Sequence, residues 1–225
     1  MLSIFDSGLG IFRKIQLAAE LANEHDAFLE LAKGRFTTDP DRHTGEGIFF
    51  TARMFDRFVI LSGSMYVSFS AEGRDWVLES PHKVESPTQG TLVEMEINPQ
   101  SVRTTREVFD RYAPMEGDAF SGIKRTHLAI RLAQPGGGPL VSRSQAKRIL
   151  ARLEEFDEAI LDFEDVPEIS PGFADEIFRV FAGEHPRVKL IPVSANEGVM
   201  RMILRAQERQ PNSGVNARNE GDRRR

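Results

Sequence analysis

The sequence predicts an α/β protein in two parts. The first part is predicted as a two-layer α/β sandwich on an antiparallel or mixed sheet, because helical patterns near the start are followed by consecutive strand patterns. The second part is predicted as an α/β domain on a largely parallel sheet, because strand and helix patterns alternate at the spacing of crossover connections. We therefore divide the chain into a first domain over 1–100, a linker over 101–122, a second domain over 123–207 and a disordered tail over 208–225.

The composition is that of a globular protein and excludes several classes of function. Of the 225 residues, 40% are apolar and 28% are charged. A net charge of −5 argues against a nucleic-acid surface in this portion. The absence of cysteine from the sequence excludes disulfide bridges, a thiolate nucleophile and a cysteine-based zinc site. The sequence has no run of about 18 apolar residues and no leader pattern, so we expect a cytoplasmic protein that does not enter a membrane.

The first motif is a glycine box at the end of a predicted strand. Alternating apolar residues from Leu2 lead to Asp6, which begins an Asp-x-Gly-x-Gly pattern with Gly8 and Gly10, and an amphipathic helix pattern begins at Ile11. A carboxylate can accept a hydrogen bond from the exocyclic amine of a base, glycines let the backbone approach a ligand, and a helix N-terminus offers free N–H groups. The pattern therefore indicates a nucleotide site.

Two helices and a polar loop are predicted next. Apolar residues recur at helical spacing over 11–22, and Asp26 is predicted to cap a second helix that ends at Gly34. The loop over 35–47 is rich in turn formers, and we interpret it as a lid over a ligand. Its basic side chains, for which solvation is the alternative explanation to phosphate binding, are Arg35, Arg42 and His43.

A second glycine box ends this loop. It reads Thr44-Gly45-Glu46-Gly47-Ile48, and a helix is predicted from Ile48 to about Asp56. The N-terminus of that helix would face bound phosphates.

Consecutive strands follow the second box. A buried run over 58–61 precedes a hairpin between 65–69 and 75–78, and a third element, Gly90-Thr91, begins an alternating strand that reaches Ile97. A short helix is predicted over 102–112. The aromatic residues predicted to belong to the core are Phe49, Phe50, Phe55, Phe58 and Trp76.

The second domain is predicted to contain three strands and three helices. The strands are predicted over 126–132, 158–163 and 188–193. Each helix follows a serine cap: Ser142 for a helix to about Glu155, Ser170 with Pro171 for a helix to Gly183, and a Ser194–Glu197 capping box for a helix to about Ala206.

The three glycine-containing elements, in this order, resemble the nucleotide boxes of the Bergerat-fold (GHKL or HATPase_c) ATPases, a group that includes gyrase, Hsp90, histidine kinases and MutL. The resemblance covers residues 2 to about 100. It implies that Asp6, beside Gly8 and Gly10, recognises adenine and that Thr91 contacts it as well. It also implies that the second box holds the phosphates of ATP or ADP through His43, Thr44, Gly45, Gly47 and Ile48.

The resemblance to Bergerat ATPases also implies which catalytic residues this chain would need. In that family a magnesium-binding Asn and a general-base carboxylate lie on a helix ahead of the first glycine box, and this chain starts after that point. We therefore expect a truncated chain or a misplaced start, with no catalytic residue, no metal ligand, weakened binding of magnesium–nucleotide and little or no ATP hydrolysis. The enzyme classes that the resemblance leaves are ATPase and protein serine kinase.

The stretch from Leu161 to Glu176 resembles a STAS-like family of unknown function that is fused to Bergerat ATPase domains in bacterial regulators. STAS proteins are anti-sigma-factor antagonists that are switched by phosphorylation of a Ser at the start of this helix. The resemblance implies that Ser170 is the phosphorylated serine. The spacing from the preceding strand, however, places the phosphorylated position near Pro171, which has no hydroxyl group. A phosphate there would add roughly −2 charge to an interaction face. A plain helix cap is the alternative for Ser170, and capping preference favours it.

Three functions are compatible with these patterns. The first is an adenine-nucleotide-binding regulatory protein of bacterial signalling or transcription control, in which lid closure over ATP or ADP gates a regulatory protein partner. The second is a nucleotide-free interaction module that acts through the STAS-like domain. The third is a serine protein kinase of the anti-sigma type, which would require a longer N-terminus. Because Bergerat and STAS domains commonly pair, a homodimer is compatible with the resemblance, and nucleic acid would be contacted only through a domain ahead of these residues.

Overall fold

The computed structural model describes residues 1–70, 76–79, 89–113, 122–133 and 138–209. The strands in these residues form a five-stranded antiparallel sheet and a three-stranded parallel sheet. The predicted fold class, α/β with an antiparallel sheet followed by a parallel one, is therefore confirmed.

The first sheet is built from strands that are distant in sequence. Its strands are β1 (Leu2–Asp6), β2 (Arg57–Ser62), β3 (Met65–Ser70), β4 (Trp76–Glu79) and β5 (Thr91–Glu96). The spatial order is β1-β5-β2-β3-β4, so β1 lies at an edge and pairs only with β5. The predicted hairpin is confirmed as the pairing of β3 with β4, and its turn lies outside the described residues.

Three helices cover one face of this sheet: α1 (Ile11–Ala18), α2 (Glu24–Lys33) and α3 (Gly47–Met54). The register places Phe58, Ile60 and Val67 on the face that the helices cover, where they are buried in one cluster with Phe12 and Phe28. Strand β3 alternates buried and half-buried residues from Met65 to Phe69, the period-two pattern of a strand with one face against a helical layer, whereas β2 is buried continuously from Phe58 to Ser62.

The ends of the first two helices differ in part from the prediction. Helix α1 ends at Ala18 instead of reaching residue 22, and Glu20 then adopts a left-handed conformation with φ 52°. Helix α2 is capped by Asn23, whose side chain accepts a hydrogen bond from the Asp26 backbone N–H at 2.8 Å, so the predicted cap at Asp26 is wrong. Gly34 ends α2 in the left-handed conformation, as predicted, and a Cβ there would overlap the Phe49 ring.

Helix α4 (Thr105–Tyr112) packs on α3 in the segment predicted as a linker. A capping box between Thr104 and Glu107 begins it three residues later than predicted. The ring of Phe109 stacks on Phe50 with centroids 4.1 Å apart.

The predicted core aromatics of the first part divide into three groups. Phe49, Phe50 and Phe58 are buried as predicted, and Phe55 is half-buried against the helical core. The side chain of Trp76 lies outside the described residues.

The second sheet has the strand order β6-β7-β8, with β6 (Arg125–Ala129), β7 (Glu158–Asp162) and β8 (Lys189–Val193) all parallel. Its helical segments are α5 (Arg143–Leu150), α6 (Pro171–Asp175), a π-helical segment (Glu176–Phe181), α7 (Ala182–Glu184) and α8 (Glu197–Glu208). Segments α6 to α7 are consecutive and bury Phe173, Ile177 and Phe181, as the helical pattern predicted.

Two elements of the second part are shorter than predicted. Strand β6 ends at Ala129, and residues 130–133 continue as a 3₁₀-helix. Helix α5 ends at Leu150, and Arg152 then turns the chain with φ 61° before a short 3₁₀-helix over Leu153–Glu155. The predicted cap of α5 by Ser142 is confirmed, with Gln145 as its capping-box partner.

The predicted capping box of the last helix is wrong. Ser194 has φ 55° and lies outside the helix, whereas the Asn196 side chain accepts a hydrogen bond from the Val199 backbone N–H at 3.0 Å. Asn and Ser are equally good caps, and the chain direction after β8 selects between them.

Helix α2 joins the two parts of the molecule. The Lys33 ammonium is buried and donates to the carbonyl oxygen of Ala151 at 2.5 Å and to Glu30 Oε1 at 2.6 Å. The hydroxyl of Thr126 on β6 donates to the Lys33 carbonyl oxygen at 2.9 Å. Burial lowers the pKa of Lys33, because the charged form loses its hydration. This lysine is thus a fixed polar contact between the two parts.

Candidate functional site

Residues of the second glycine box line a groove of about 560 Å³ between α1, the lid and the start of α3. We call it the lid groove. The basic side chains that border it are those of Lys14, Arg42 and His43, all exposed. The other residues that line it are Ile11, Ile15, Leu31, Phe36, Thr37, Thr38, Thr44, Gly45, Gly47 and Ile48.

Local sequence shapes the lid. The Thr37 hydroxyl accepts from the Asp39 backbone N–H at 3.1 Å, and the Asp39 carbonyl oxygen accepts from the backbone N–H of His43 at 3.0 Å. Gly45 has φ 75°, and a Cβ at this position would overlap the Phe36 carbonyl group. A residue other than glycine would therefore push the box away from the start of the lid.

Helix α3 begins at the second box without an acidic residue in its first turn. Glu46 precedes the helix, but its side chain makes no cap hydrogen bond. The Glu46 carboxylate is buried and instead accepts from the backbone N–H of Ile123 at 2.7 Å. The first N–H groups of an α-helix have no partner within the helix, and Gly47 and Ile48 border the lid groove at that end.

The predicted adenine residues Asp6 and Thr91 lie directly opposite each other on β1 and β5. Asp6 is exposed, and its Oδ1 accepts from the Gly8 backbone N–H at 2.7 Å. Thr91 is buried, and its hydroxyl oxygen accepts from the Ile11 backbone N–H at 3.0 Å, at the start of α1. Gly10 has φ 92° and a Cβ there would lie 2.6 Å from Ser62 Oγ, so the turn from β1 into α1 requires glycine.

The structure brings the predicted residues together in two sets. His43, Thr44, Gly45, Gly47 and Ile48 border the lid groove, whereas Asp6, Gly8, Gly10 and Thr91 lie at the ends of β1 and β5 and do not border it. Helix α1 connects the sets, because Ile11 contacts Thr91 and also lines the groove.

Ser170 caps the helix that follows it. Its hydroxyl donates to the Val141 carbonyl oxygen and accepts from the Phe173 backbone N–H at 3.1 Å. The interpretation of Ser170 as a helix cap is therefore confirmed. Its phosphorylation stays a prediction.

Sequence reasoning missed the contacts that join the lid to the second part. Arg35 at the start of the lid donates from Nη1 to the Glu155 carbonyl oxygen at 2.5 Å, and Arg152 donates from Nη2 to the Arg35 carbonyl oxygen at 3.3 Å. The bond between Ile123 and Glu46 holds the other end of the lid. None of these pairs is closer than 77 residues in sequence, so no local pattern could indicate them.

A second missed cluster lies at α6 and the π-helical segment. Arg179 donates to both oxygens of Asp175, at 2.5 and 2.7 Å, and Arg143 donates to Asp175 at 2.6 Å and to Glu176 at 3.0 Å. These bonds, led by those of Arg179, hold the pKa of Asp175 at about 2. The four-residue spacing of Asp175 and Arg179 on a predicted helix was the available signal.

No group of three or more His, Asp or Glu side chains in the described ranges is arranged to hold a metal ion. No helix within these ranges has both the length and the apolarity needed to cross a membrane.

The fold defines an α/β protein with an antiparallel sheet, a parallel sheet and a lid groove in the first part. Residues 145–200 match the family model described as a STAS-like domain of unknown function (DUF4325). The match runs from α5 into the first turn of α8, so it covers less than half of the chain and does not include either glycine box. No curated protein and no solved structure matches the chain. Residues 145–200 are thus similar to a STAS-like domain. No comparison supports the resemblance of the first part to Bergerat ATPases, which rests on its motifs alone.

Proposed function

We propose that this chain is a regulatory protein that binds an adenine nucleotide in its first part and transmits the bound state to its STAS-like domain. One observation carries the proposal: helix α1 touches both predicted halves of the site. Its first backbone N–H, on Ile11, donates to Thr91, and its side chains Ile11, Lys14 and Ile15 line the lid groove.

The base would bind at the ends of β1 and β5. Asp6 is exposed there and uses one carboxylate oxygen for Gly8, which leaves the other as an acceptor for an exocyclic amine. Thr91 lies opposite and is fixed by Ile11. A fixed acceptor beside an exposed carboxylate is a suitable arrangement for recognising a purine edge.

The phosphates would bind in the lid groove. The N-terminus of α3 and the side chains of Lys14, Arg42 and His43 all border it. Helix N-terminal N–H groups and basic side chains both favour anions. The groove volume of about 560 Å³ lies within the usual range for small-molecule sites.

The attachment of the lid to the second part would transmit binding. One end of the lid is held through Arg35 by Glu155 and Arg152, and the other end is held through Glu46 by Ile123. A lid that becomes ordered over bound phosphates would change the geometry of these contacts. The change would shift the populations of the second part's conformations, and a regulatory protein partner could distinguish between them.

A nucleotide-free interaction module is the second candidate. The observation that favours it is the family-model match, which falls wholly within the second part. The hydrogen bond between Asp6 and Gly8 also gives the Asp6 carboxylate a role in the local turn that needs no ligand. In this alternative the lid is a structural connection, and the partner surface belongs to the STAS-like domain alone.

Calorimetric titration of adenosine, ADP and ATP, each with and without magnesium, tests the proposal. We expect saturable binding of all three, weakened about tenfold or more by Asp6→Asn. Lys14→Gln should weaken the binding of ADP and ATP and leave the binding of adenosine unchanged, because Lys14 borders the lid groove, where the phosphates would bind. Asp157→Asn, which alters a carboxylate in the second part whose side chain is 64% exposed, is the matched control and should bind as wild type.

If none of the three ligands produced binding heat with the folded wild-type protein, nucleotide binding would be contradicted. The nucleotide-free interaction module would then be the remaining candidate function. Binding that is equally strong in Asp6→Asn would place the ligand away from the first glycine box.

A further inference from the structure

A second and larger groove lies between the end of α3, residues 98–103 and α4. Its volume is about 1050 Å³, and it shares no lining residue with the lid groove. We call it the α3–α4 groove. The charged side chains that line it are Arg53, Asp56, Arg103, Glu107, Asp110 and Arg111.

Arg53 at the end of α3 is the buried charge of this groove. The residue is 9% exposed, and its guanidinium carbon lies 3.6 Å from the centroid of the Phe49 ring and 5.2 Å from that of Tyr112. Its Nη1 donates to the Phe49 carbonyl oxygen at 3.3 Å. These contacts fix the plane of the guanidinium group at the wall of the groove.

The carboxylates of the groove are engaged with other groups. Asp56 accepts from the Asn98 backbone N–H at 2.6 Å and from Arg103 at 3.0 Å, and these bonds, led by that of Asn98, lower its pKa. Glu107 accepts from the Thr104 backbone N–H at 2.9 Å, which lowers its pKa as well. The remaining carboxylate, Asp110, lies 3.7 Å from Arg106.

Two arginines of the groove form no ion pair with a carboxylate of the described residues, although the charge of Arg111 contributes to the lowered pKa of Glu107 on the same helix. Within the described ranges no carboxylate oxygen lies within 4.0 Å of Arg53 or Arg111, whereas Arg103 is paired with Asp56. Keeping a charged group in a largely buried position is costly unless an opposite charge or hydrogen bonds compensate for the lost hydration. The Phe49 carbonyl uses one of the five donors of Arg53, and rings contribute no acceptor of comparable strength.

We propose that the α3–α4 groove binds a small organic anion through Arg53, with Arg111 as the second cation. The group recognised is a phosphate or a carboxylate, because a guanidinium group presents paired N–H donors that match both. A volume of about 1050 Å³ accommodates an organic acid or a phosphate ester with room for its polar remainder against Asn98 and Gln100. This site is separate from the proposed nucleotide site, and its test does not depend on nucleotide binding.

Titration of the full chain with inorganic phosphate and, separately, with citrate tests the site. The readout is the amide and arginine side-chain N–H signals in a ¹⁵N correlation spectrum, together with calorimetry. We expect saturable shifts at the side chains of Arg53 and Arg111 and at residues 98–103 with at least one probe. The probe that binds shows whether a phosphate or a carboxylate is preferred.

The variants separate a specific site from general charge attraction. Arg53→Gln and Arg111→Gln should each weaken binding about tenfold or more. Arg53→Lys should recover part of it, since the charge stays and the planar donor pair is lost. Arg201→Gln, which removes one positive charge from α8 at a side chain that is 65% exposed, should bind as wild type.

Arg111→Gln keeps the test decisive if Arg53→Gln fails to fold. Arg111 is exposed, and the contact that Arg125 makes with it is to its backbone carbonyl, which the substitution keeps. Absence of saturable shifts with both probes at millimolar concentration would overturn the proposal. Equal weakening in Arg201→Gln would overturn it as well.

Discussion

The two glycine boxes are held in place in different ways. The first box follows edge strand β1, whose five residues are all exposed and pair on one side only. The second box is held from the other part of the molecule, since Ile123 binds Glu46 and Arg152 binds the start of the lid. One box is therefore positioned by a single strand pairing and local turns, and the other by long-range contacts.

The difference shows which half of the proposed nucleotide site is preorganised. Leu2 and Ile4 share the sheet face that α1, α2 and α3 cover, yet each remains more than half exposed. The helical layer covers β2 and β3 and stops before the edge. The lid groove, proposed to bind the phosphates, is thus preorganised by contacts within the protein. The end of β1, proposed to bind the base, lies beside apolar side chains that no helix covers.

The largest expected effect comes from a matched pair of isoleucines. Ile4 and Ile60 both lie opposite Val93 in the sheet, but Ile60 is fully buried and Ile4 is 55% exposed. We expect Ile60→Ala to lower the free energy of unfolding by about 2–5 kcal/mol, because it removes buried atoms and leaves a cavity. Ile4→Ala should lower it by less than about 1 kcal/mol.

Urea denaturation measures both isoleucine variants. A loss in Ile4→Ala as large as that in Ile60→Ala would mean that the edge strand is covered in solution, and the contrast between the two boxes would then be wrong.

The next effect concerns the anchoring of the second box. Glu46→Ala removes the acceptor of the buried Ile123 backbone N–H, and an unsatisfied buried donor costs about 1–3 kcal/mol. We expect that loss in the free energy of unfolding, together with faster amide hydrogen exchange across residues 37–45. Glu46→Gln keeps an oxygen acceptor and should recover most of both effects.

The control for Glu46 is Glu208→Ala, at an exposed position at the end of α8. Unchanged lid exchange in Glu46→Ala would show that the contact with Ile123 does not position the lid.

The smallest expected effect is a loss of stability that occurs only at acidic pH. It tests the ion pairs of Asp175 in the second part, to which the lid is attached. Asp175 has a pKa of about 2, below its ordinary value of 3.8, because Arg179 and Arg143 bind the charged form. A lowered pKa in the folded state stabilises the protein above pH 3.8, and this contribution is lost as the pH falls toward 2. The difference in stability between wild type and Asp175→Asn should therefore be constant at neutral pH and shrink below about pH 4.

Denaturant titrations at several pH values measure this difference. A difference that stays constant down to pH 2 would contradict the assigned role of the arginines.

Much of the fold follows from local sequence. The buried run of β2, the left-handed Gly34, and the caps at Ser142 and Ser170 can all be predicted from short patterns, because each depends on residues within one turn or one strand. The errors lie where two local solutions are nearly equal. Asn23 caps α2 where Asp26 was predicted, and Asn196 caps α8 where Ser194 was predicted. In both cases the direction in which the chain enters the helix selects the capping residue.

The candidate sites divide in the same way. Sequence alone determined the two glycine boxes, because a positive φ at Gly10 and Gly45 and a helix that starts beside each box are local requirements. Only the tertiary structure decided that Glu46 would bind Ile123, that Lys33 would be buried against Ala151, and that Arg53 would lie against Phe49 and Tyr112 at the wall of a groove. The physical reason is that a charged side chain has the same local pattern whether it faces solvent or a buried partner. Its partner is set by how the sheets and helices pack, and that packing depends on residues far apart in the chain.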